Sequence, residues 1–110
     1  MHQIITRVVG VSNRNKDGTS RQRILKSLAR PGRAVILNHV SSVEGDPNTI
    51  EVLLSSGEGK KSHCVGFLPG RVGAKLARHL DAQHEVTAII CDIVTEKDPP
   101  HTALQVKITY

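Results

Sequence analysis

The chain has 110 residues and a formal net charge of +5, and its Phe, Trp and Tyr residues number only two, Phe67 and Tyr110. This length predicts a single domain over residues 1–110, whose core of Val, Ile, Leu and Ala favours strands. Cys64 and Cys91 are far apart in the sequence, lack metal-ligand spacing and lie in apolar runs, so we expect both to be small buried hydrophobic residues. No apolar run approaches the length of a membrane span, and we expect a cytoplasmic protein with reduced thiols.

Basic residues are concentrated near the start of the chain. Eight of the fifteen Lys and Arg residues fall between residues 7 and 33, against one acid, Asp17, so this third of the chain has a charge of +7. The remaining seven basic and nine acidic residues give −2. Such a concentration favours an anionic partner. On charge alone, a solvated basic face explains the pattern equally well.

The first elements in chain order are a strand and a helix. Residues 3–11 predict a strand that ends in a polar, basic loop. A helix follows, with Thr19 as its cap and Gln22 completing a capping-box pattern. Pro31 and Gly32, which follow Arg30, stop this helix.

The rest of the chain alternates between short apolar segments and turns. Further strands are predicted at 34–40, 50–54, 62–68, 85–94 and 103–110. A second helix is expected to begin at Pro69, with Val72, Leu76 and Leu80 on its apolar face. Six short strands with two short helices predict a mainly β fold, a small six-stranded OB-like β-barrel, because closure removes exposed strand edges.

Three segments occur in an order that resembles the HIRAN family. The strand at 8–11 contains Gly10 and leads into the basic loop; an acidic turn at 44–48 precedes the third strand; and the block at 65–69 opens onto the second helix. The resemblance covers roughly residues 5 to 94 and is closer to the bacterial form, which has the same insertion as residues 17–22. It implies an OB-like barrel with appended helices that binds DNA, particularly exposed strand ends, in company with helicase-like repair enzymes.

The chain departs from the family where strand ends are bound. The resemblance implies aromatic residues after the first-strand glycine and polar side chains near the acidic turn. Here no aromatic follows Gly10, and Val43, Glu44 and Gly45 precede Asp46, although Asp46 keeps the pattern. The fold is therefore expected to transfer better than an end-specific pocket, and a basic groove without stacking would bind with strong salt dependence.

The candidate nucleic-acid-binding residues come from the loop, both helix starts and the turn. They are Asn13, Arg14, Asn15, Lys16, Arg21, Arg23, Asp46, Phe67 and Arg71. Arg21 shares the apolar side of its helix, so it is either a DNA contact or a buried tether whose partner would be Glu44 or Asp46. Phe67 is either a ring that stacks on a terminal base or a core ring.

Two other classes of function are weighed against DNA binding. Despite six histidines, the chain has no nucleophile elbow, phosphate loop or paired metal-binding histidines, so we expect neither an enzyme, a metal site nor a cofactor. The alternative is a protein-interaction module using Leu68 with Val40 and Val43. The expectation is thus a non-catalytic module that binds single-stranded DNA or DNA ends in repair or replication, with a helicase or nuclease as a possible partner and no membrane.

Overall fold

The computed structural model describes residues 2–40, 48–57, 61–97 and 100–110. Within them, six strands form one antiparallel sheet that curls into a half-barrel. Their bounds are β1 Gln3–Arg7, β2 Ala34–His39, β3 Ile50–Ser55, β4 Ser62–Phe67, β5 Thr87–Lys97 and β6 Pro100–Thr109. Their order across the sheet is β1-β6-β5-β2-β3-β4. The mainly β, OB-like fold expected from the sequence is confirmed.

Alternating apolar residues give the strands one buried face. In β3, Ile50, Val52 and Leu54 are fully buried, and β6 shows the same period of two. Because successive side chains of a strand point to opposite faces, these residues line the inside of the curled sheet. Leu25 and Leu76, one from each helix, join the same core cluster.

The two edges of the sheet meet at one residue pair. β1 and β4 are the outermost strands, yet Val9, just past the end of β1, pairs with Phe67 at the end of β4. The Val9 N–H donates to the Phe67 carbonyl at 2.8 Å, and the Phe67 N–H donates to the Val9 carbonyl at 2.9 Å. A single reciprocal pair of hydrogen bonds therefore connects the ends of the curl.

Helix α1 spans Arg21–Leu28, and Ser20 is its N-cap. The Ser20 hydroxyl accepts a hydrogen bond from the backbone N–H of Arg23 at 3.3 Å. The prediction of Thr19 as the cap is therefore wrong by one residue, because the Thr19 hydroxyl donates to Asp17 Oδ1 at 2.7 Å. Gln22 does not complete a capping box; its side-chain oxygen accepts from the N–H of Thr102 on β6 at 2.7 Å.

Helix α2 spans Gly70–Asp81, with Pro69 as its N-cap rather than its first residue. Val72 and Leu76 are buried and Leu80 is partly buried, which confirms the predicted apolar face. Helix α1 packs on β4 and β6, and α2 packs on β2. The two helices thus cover different parts of the sheet.

Two further predictions differ from the structure. The strand expected over 3–11 ends at Arg7, since the chain leaves β6 after the bond from the Val8 N–H to the Leu104 carbonyl, and Val9 then pairs with Phe67 at the end of β4. Cys91 is exposed rather than buried. The register of β5 against β6 shifts between Ile90 and Asp92, so Cys91 is the extra residue of a bulge, which changes the face its side chain would otherwise take.

No helix among the described residues has the length and apolar character to span a bilayer.

Candidate nucleic-acid interface

The basic loop between β1 and α1 is ordered by its own hydrogen bonds. Arg14 pairs with Ser20 across the loop, and the Asn15 N–H donates to the Thr19 carbonyl at 2.9 Å. The Gly18 N–H donates to the Asn15 carbonyl at 2.9 Å, and Gly18 has a φ of +88°, where glycine is favoured over other residues. The loop is therefore a small closed structure whose backbone conformation is set by its own hydrogen bonds.

Asp17, the single acid of the basic segment, belongs to this closed structure. One carboxylate oxygen accepts from the Thr19 hydroxyl at 2.7 Å and from the Thr19 N–H at 3.0 Å. The hydroxyl bond, followed by the backbone bond, lowers the pKa of Asp17 below its ordinary value. Asp17 is therefore ionised at neutral pH, and its role is to hold the loop closed.

Asn15 uses its whole side-chain amide within the protein. Its Nδ2 donates to the Thr19 hydroxyl at 3.0 Å and to the Cys64 carbonyl on β4 at 3.0 Å. Its Oδ1 accepts from Arg21 Nε at 2.8 Å. Both amide protons are thus engaged, so Asn15 fastens the loop to the sheet and to the helix.

Arg21 is buried at the junction of the loop, the helix and the closing pair of the sheet. It is 8% exposed, its Nη1 donates to the Gly10 carbonyl at 2.8 Å, and its guanidinium carbon lies 5.1 Å from the centre of the Phe67 ring. Its burial agrees with the tether hypothesis. Its described hydrogen-bond partners, however, are neutral oxygens rather than a carboxylate; Glu44 and Asp46 lie outside the described residues.

Part of Arg21 still faces open space. The hydrogen bonds of Arg21 involve Nε and Nη1, and no buried side-chain nitrogen or oxygen among the described residues is left without a partner. The 8% of Arg21 that is exposed borders a cavity that Phe67 also lines. Arg21 is thus buried, as the tether hypothesis requires, and it also borders a cavity, as the hypothesis of a DNA contact requires.

Phe67 is half-buried and lies outside the hydrophobic core cluster. One contact of its ring is Arg21, and its backbone is held by Val9. The preceding residue, Gly66, has a φ of +155°, and a Cβ there would lie 2.5 Å from the Val9 carbonyl oxygen. The backbone at this point therefore needs glycine, and the ring is fixed at the rim of the cavity.

This cavity, which we call the Phe67 cavity, has a volume of about 450 Å³. Its basic side chains are Lys16, Arg21 and Lys61, and its acidic ones are Asp17 and Glu51. The remaining lining residues are Asn15, Thr19, Val40, Ser62, His63, Cys64 and Phe67. It lies between the loop, β3 and β4, so its walls are a hairpin-like loop and a regular sheet.

A second cavity of about 500 Å³, the α1 cavity, adjoins it. Arg14 and Arg23 contribute its cations, and Thr19 and His63 line both cavities. Together the two form a groove, which we call the basic groove. Its cations are Arg14, Lys16, Arg21, Arg23 and Lys61.

The structure therefore divides the predicted site residues into three groups. Six of them line the basic groove: Arg14, Asn15, Lys16, Arg21, Arg23 and Phe67. Asn13 is exposed on the loop but lines neither cavity. Arg71 lies on a different cavity, between β1 and α2, and Asp46 lies outside the described residues.

Sequence reasoning missed the contribution of β3 and β4. Lys61, His63 and Glu51 line the groove, although they lie 18 to 30 residues beyond Arg33, the last residue of the basic segment. Lys61 closes a Gly/Ser-rich segment, and its charge was the available signal. Only the antiparallel pairing of β3 with β4 shows that these residues face the loop.

The surface predicted for a protein partner is largely covered. Leu68 is buried and Val40 is half-buried, and Val43 lies outside the described residues. Among the described residues no group of three His, Cys, Asp or Glu side chains is arranged to hold a metal ion. Cys64 is partly buried, and this burial raises the pKa of its thiol.

Two solved structures are similar to this chain. The HIRAN domain of human HLTF superposes with a TM-score of 0.62 and 16% identity, over 96% of this chain and 74% of its own. A protein from Lactobacillus plantarum superposes with a TM-score of 0.64 and 17% identity, over 99% of this chain and 98% of its own. No protein-family model and no curated protein sequence matches the chain. The chain has a HIRAN-like fold, as the order of its sequence segments predicted.

Proposed function

We propose that the chain is a non-catalytic nucleic-acid-binding module that binds single-stranded DNA or DNA ends in its basic groove. The observation that supports this most directly is the convergence of five cations and one half-exposed aromatic ring on the groove. Phosphate contacts dominate the affinity of such sites. The HIRAN-like fold supports the same proposal.

The groove combines the two kinds of contact that single strands need. Lys16 and Lys61 are exposed and have no ion pair among the described residues, so they are available to phosphates. The Phe67 ring offers a surface to a base, and the accessible part of Arg21 offers donors beside it. Glu51 and Asp17 reduce the positive potential, so we expect modest affinity.

A single strand fits the groove better than a duplex does. The Phe67 cavity lies between a loop and a sheet, and its volume of about 450 Å³ is in the range of small-ligand pockets rather than of a duplex-wide channel. An unpaired base can enter such a space, whereas a stacked base pair presents only its edges. A terminal nucleotide has a neighbouring nucleotide on one side only, so less of the strand has to be kept outside the cavity. We retain Asp46, from the acidic turn, as a proposed contact to the strand end.

The test is fluorescence anisotropy with three labelled DNAs at two salt concentrations. The DNAs are a single strand with a free 3′ hydroxyl, the same strand with a 3′ phosphate, and a blunt duplex. If four or five cations contact phosphates, the logarithm of the affinity should fall with the logarithm of salt with a slope of about −3. Preference for the free hydroxyl would support end binding, and equal binding to both single strands would support a general single-strand groove.

Matched charge variants locate the site. Lys16→Ala and Lys61→Ala should each weaken single-strand binding about two- to fivefold and reduce the salt slope. Lys97→Ala, at the exposed end of β5 and outside the groove, makes the same change in net charge and should have little effect. Equal losses from all three variants would show net-charge attraction without a site, and no binding at low salt would overturn the proposal.

Cysteine modification gives a second, independent readout. Cys64 lines the Phe67 cavity, whereas Cys91 is exposed on β5 and lines neither cavity of the groove. Bound single-stranded DNA should slow alkylation of Cys64 and leave that of Cys91 unchanged. Equal protection of both thiols, or protection of Cys91 alone, would place the DNA elsewhere.

The cellular context is part of the proposal. Because the module has no catalytic constellation in its sequence, we propose that it brings a helicase or nuclease partner to single-stranded DNA during repair or replication, in the cytoplasm. If DNA mediates the recruitment, co-purification with such an enzyme should require DNA and should be abolished in a double Lys16→Ala and Lys61→Ala variant. Co-purification that persists without DNA and in the double variant would indicate direct contact between the proteins.

A further inference from the structure

A third cavity lies apart from the basic groove, along the free edge of β1. It has a volume of about 400 Å³ and lies between β1 and α2. Its lining residues are Ile4, Ile5, Thr6, Arg71, Val72 and Lys75, and none of them lines the basic groove. Ile5 is 64% exposed, the largest value among the exposed large hydrophobic residues of the described chain. We call this surface the β1 edge.

The backbone of β1 presents to the β1 edge hydrogen-bonding groups that have no partner strand within the described part of the chain, although one of them, the Arg7 carbonyl, accepts a hydrogen bond from the Thr6 hydroxyl at 3.2 Å. The ladder with β6 is bracketed by His2, whose backbone pairs with that of Tyr110 at 2.6 and 2.9 Å, and by Val8, whose N–H donates to Leu104 at 2.9 Å. Because alternate residues of an antiparallel strand face opposite neighbours, the even-numbered residues face β6. The N–H and C=O groups of residues 3, 5 and 7 therefore point away from the sheet.

The backbone groups on this outward side of the chain already pair with one residue of another strand. Val9 continues the odd-numbered series, and its backbone pairs with Phe67. Beyond Phe67 the chain turns at Pro69 into helix α2 instead of continuing along β1. The geometry for strand pairing is thus present, and no strand among residues 2–40, 48–57, 61–97 and 100–110 pairs with that side of Gln3–Arg7, about 17 Å of strand.

The charges around the β1 edge define the ligand. Arg71 and Lys75 are exposed on α2, and within the part of the chain that the structure describes they have no ion pair and no acid lines their cavity. Arg7, at the end of the strand, is paired with Glu96 at 3.3 Å. The edge is therefore a strip of backbone donors and acceptors with an apolar residue at its centre and two free cations beside it.

We infer that the β1 edge binds an extended acidic segment of a partner protein by strand addition. A polypeptide supplies N–H and C=O groups in alternation, as this edge requires, whereas a phosphodiester backbone supplies acceptors only. Acidic side chains on the added strand would face Arg71 and Lys75, and an apolar one would contact Ile5. A second copy of this chain is a poor occupant, because a symmetric pair would bring the same cations together.

The test uses a fluorescently labelled seven-residue peptide that alternates valine with glutamate. Two control peptides have the same length: one alternates valine with lysine, and the other has the acidic sequence with an N-methyl group on every amide, which removes the backbone donors of both edges. We expect the acidic peptide to bind and both controls to fail. Binding of the lysine peptide, or undiminished binding of the N-methylated one, would refute strand addition directed by these charges.

Variants and amide exchange assign the surface. Arg71→Glu combined with Lys75→Glu should weaken peptide binding about tenfold or more and leave the melting temperature and single-strand affinity nearly unchanged. The matched control, Arg78→Glu with Lys26→Glu, alters the same charges away from the edge and should retain the peptide. In the complex, exchange of the Gln3, Ile5 and Arg7 amides should slow, while those of Ile4 and Thr6, already bonded to β6, should not change.

The remaining outcomes also decide the matter. Loss of peptide binding with the control pair as well as with the edge pair would show non-specific attraction and overturn the inference. Displacement of the peptide by single-stranded DNA, with equal loss of both ligands in the edge pair, would assign the β1 edge to nucleic acid. Slowed exchange confined to the loop or to β4 would place the peptide in the basic groove and equally overturn it.

Discussion

Replacing Arg21 by alanine should destabilise the protein far more than an ordinary helix substitution. Arg21 is 8% exposed and donates to Asn15 Oδ1 and to the Gly10 carbonyl, both at 2.8 Å. A hydrogen bond from a charged group contributes about 1.5 kcal/mol, and a guanidinium over an aromatic ring adds about 0.5–1 kcal/mol. The expected loss in the free energy of unfolding is therefore about 3–4 kcal/mol, since the substitution also leaves two acceptors without this donor.

That loss translates into a large change in melting temperature. An unfolding entropy of about 2.1 cal/mol/K per residue gives about 0.23 kcal/mol/K for 110 residues. The Arg21→Ala variant should thus melt about 15 °C lower, measured by circular dichroism and checked by urea unfolding. Arg21→Lys should recover little, because an ammonium group cannot reproduce the planar set of guanidinium donors.

Arg23→Ala is the matched control for this measurement. Arg23 lies two residues further along the same helix, is exposed, and takes part in the N-cap only through its backbone N–H. Its removal should change the free energy of unfolding by no more than about 0.5 kcal/mol while weakening single-strand binding. If Arg21→Ala lost less than about 1 kcal/mol and affected DNA affinity alone, the tether assignment would be refuted and Arg21 would be a ligand contact only.

Two further predictions concern the closing pair and the loop. Gly66→Ala should lower the free energy of unfolding by at least about 2 kcal/mol, because the new Cβ would lie 2.5 Å from the Val9 carbonyl oxygen at a φ of +155°. Gly70→Ala, which has open space at its Cβ, should be neutral or slightly stabilising. Urea unfolding measures both variants, and equal stabilities would contradict the argument. The pKa of Asp17 lies below its ordinary value of 3.8 because of its bonds to Thr19, so its contribution to stability is present above that value and is lost as pH falls through the lowered one. The stability difference between the native chain and Asp17→Asn should therefore be constant near neutral pH and shrink below about pH 3.8; a difference unchanged to pH 2 would exclude this role.

Local patterns in the sequence predicted the elements well. Short apolar segments between turns located β3 and β6, and the spacing of Val72, Leu76 and Leu80 located the buried face of α2. Errors arose where a side chain had a tertiary alternative. Thr19 suits a helix cap, but Asp17 engages its hydroxyl and Ser20 takes the capping position.

The charge of the candidate site could be predicted from the sequence, but which of its residues are bonded within the protein and which are exposed could not. The basic segment identified the loop, but sequence spacing does not show that Asn15 is fully engaged by Thr19, Cys64 and Arg21 while Lys16 is exposed. Those assignments depend on β4 lying beside the loop. The exposure of Cys91 likewise depends on a bulge that an apolar run does not reveal.

The internal bonding of the loop has a consequence for how this module changes under selection. Asn15 and Asp17 hold the loop in shape, and Arg14 Nη1 donates to the Gly18 carbonyl at 3.0 Å, whereas Asn13 and Lys16 are exposed and have no such bond among the described residues. Positions that set the shape of the loop are thus interleaved with exposed positions, one of which, Lys16, lines the basic groove. Substitutions at the exposed positions should change the surface of the proposed binding site with little effect on folding, so we expect that surface to diverge between relatives while the scaffold stays the same.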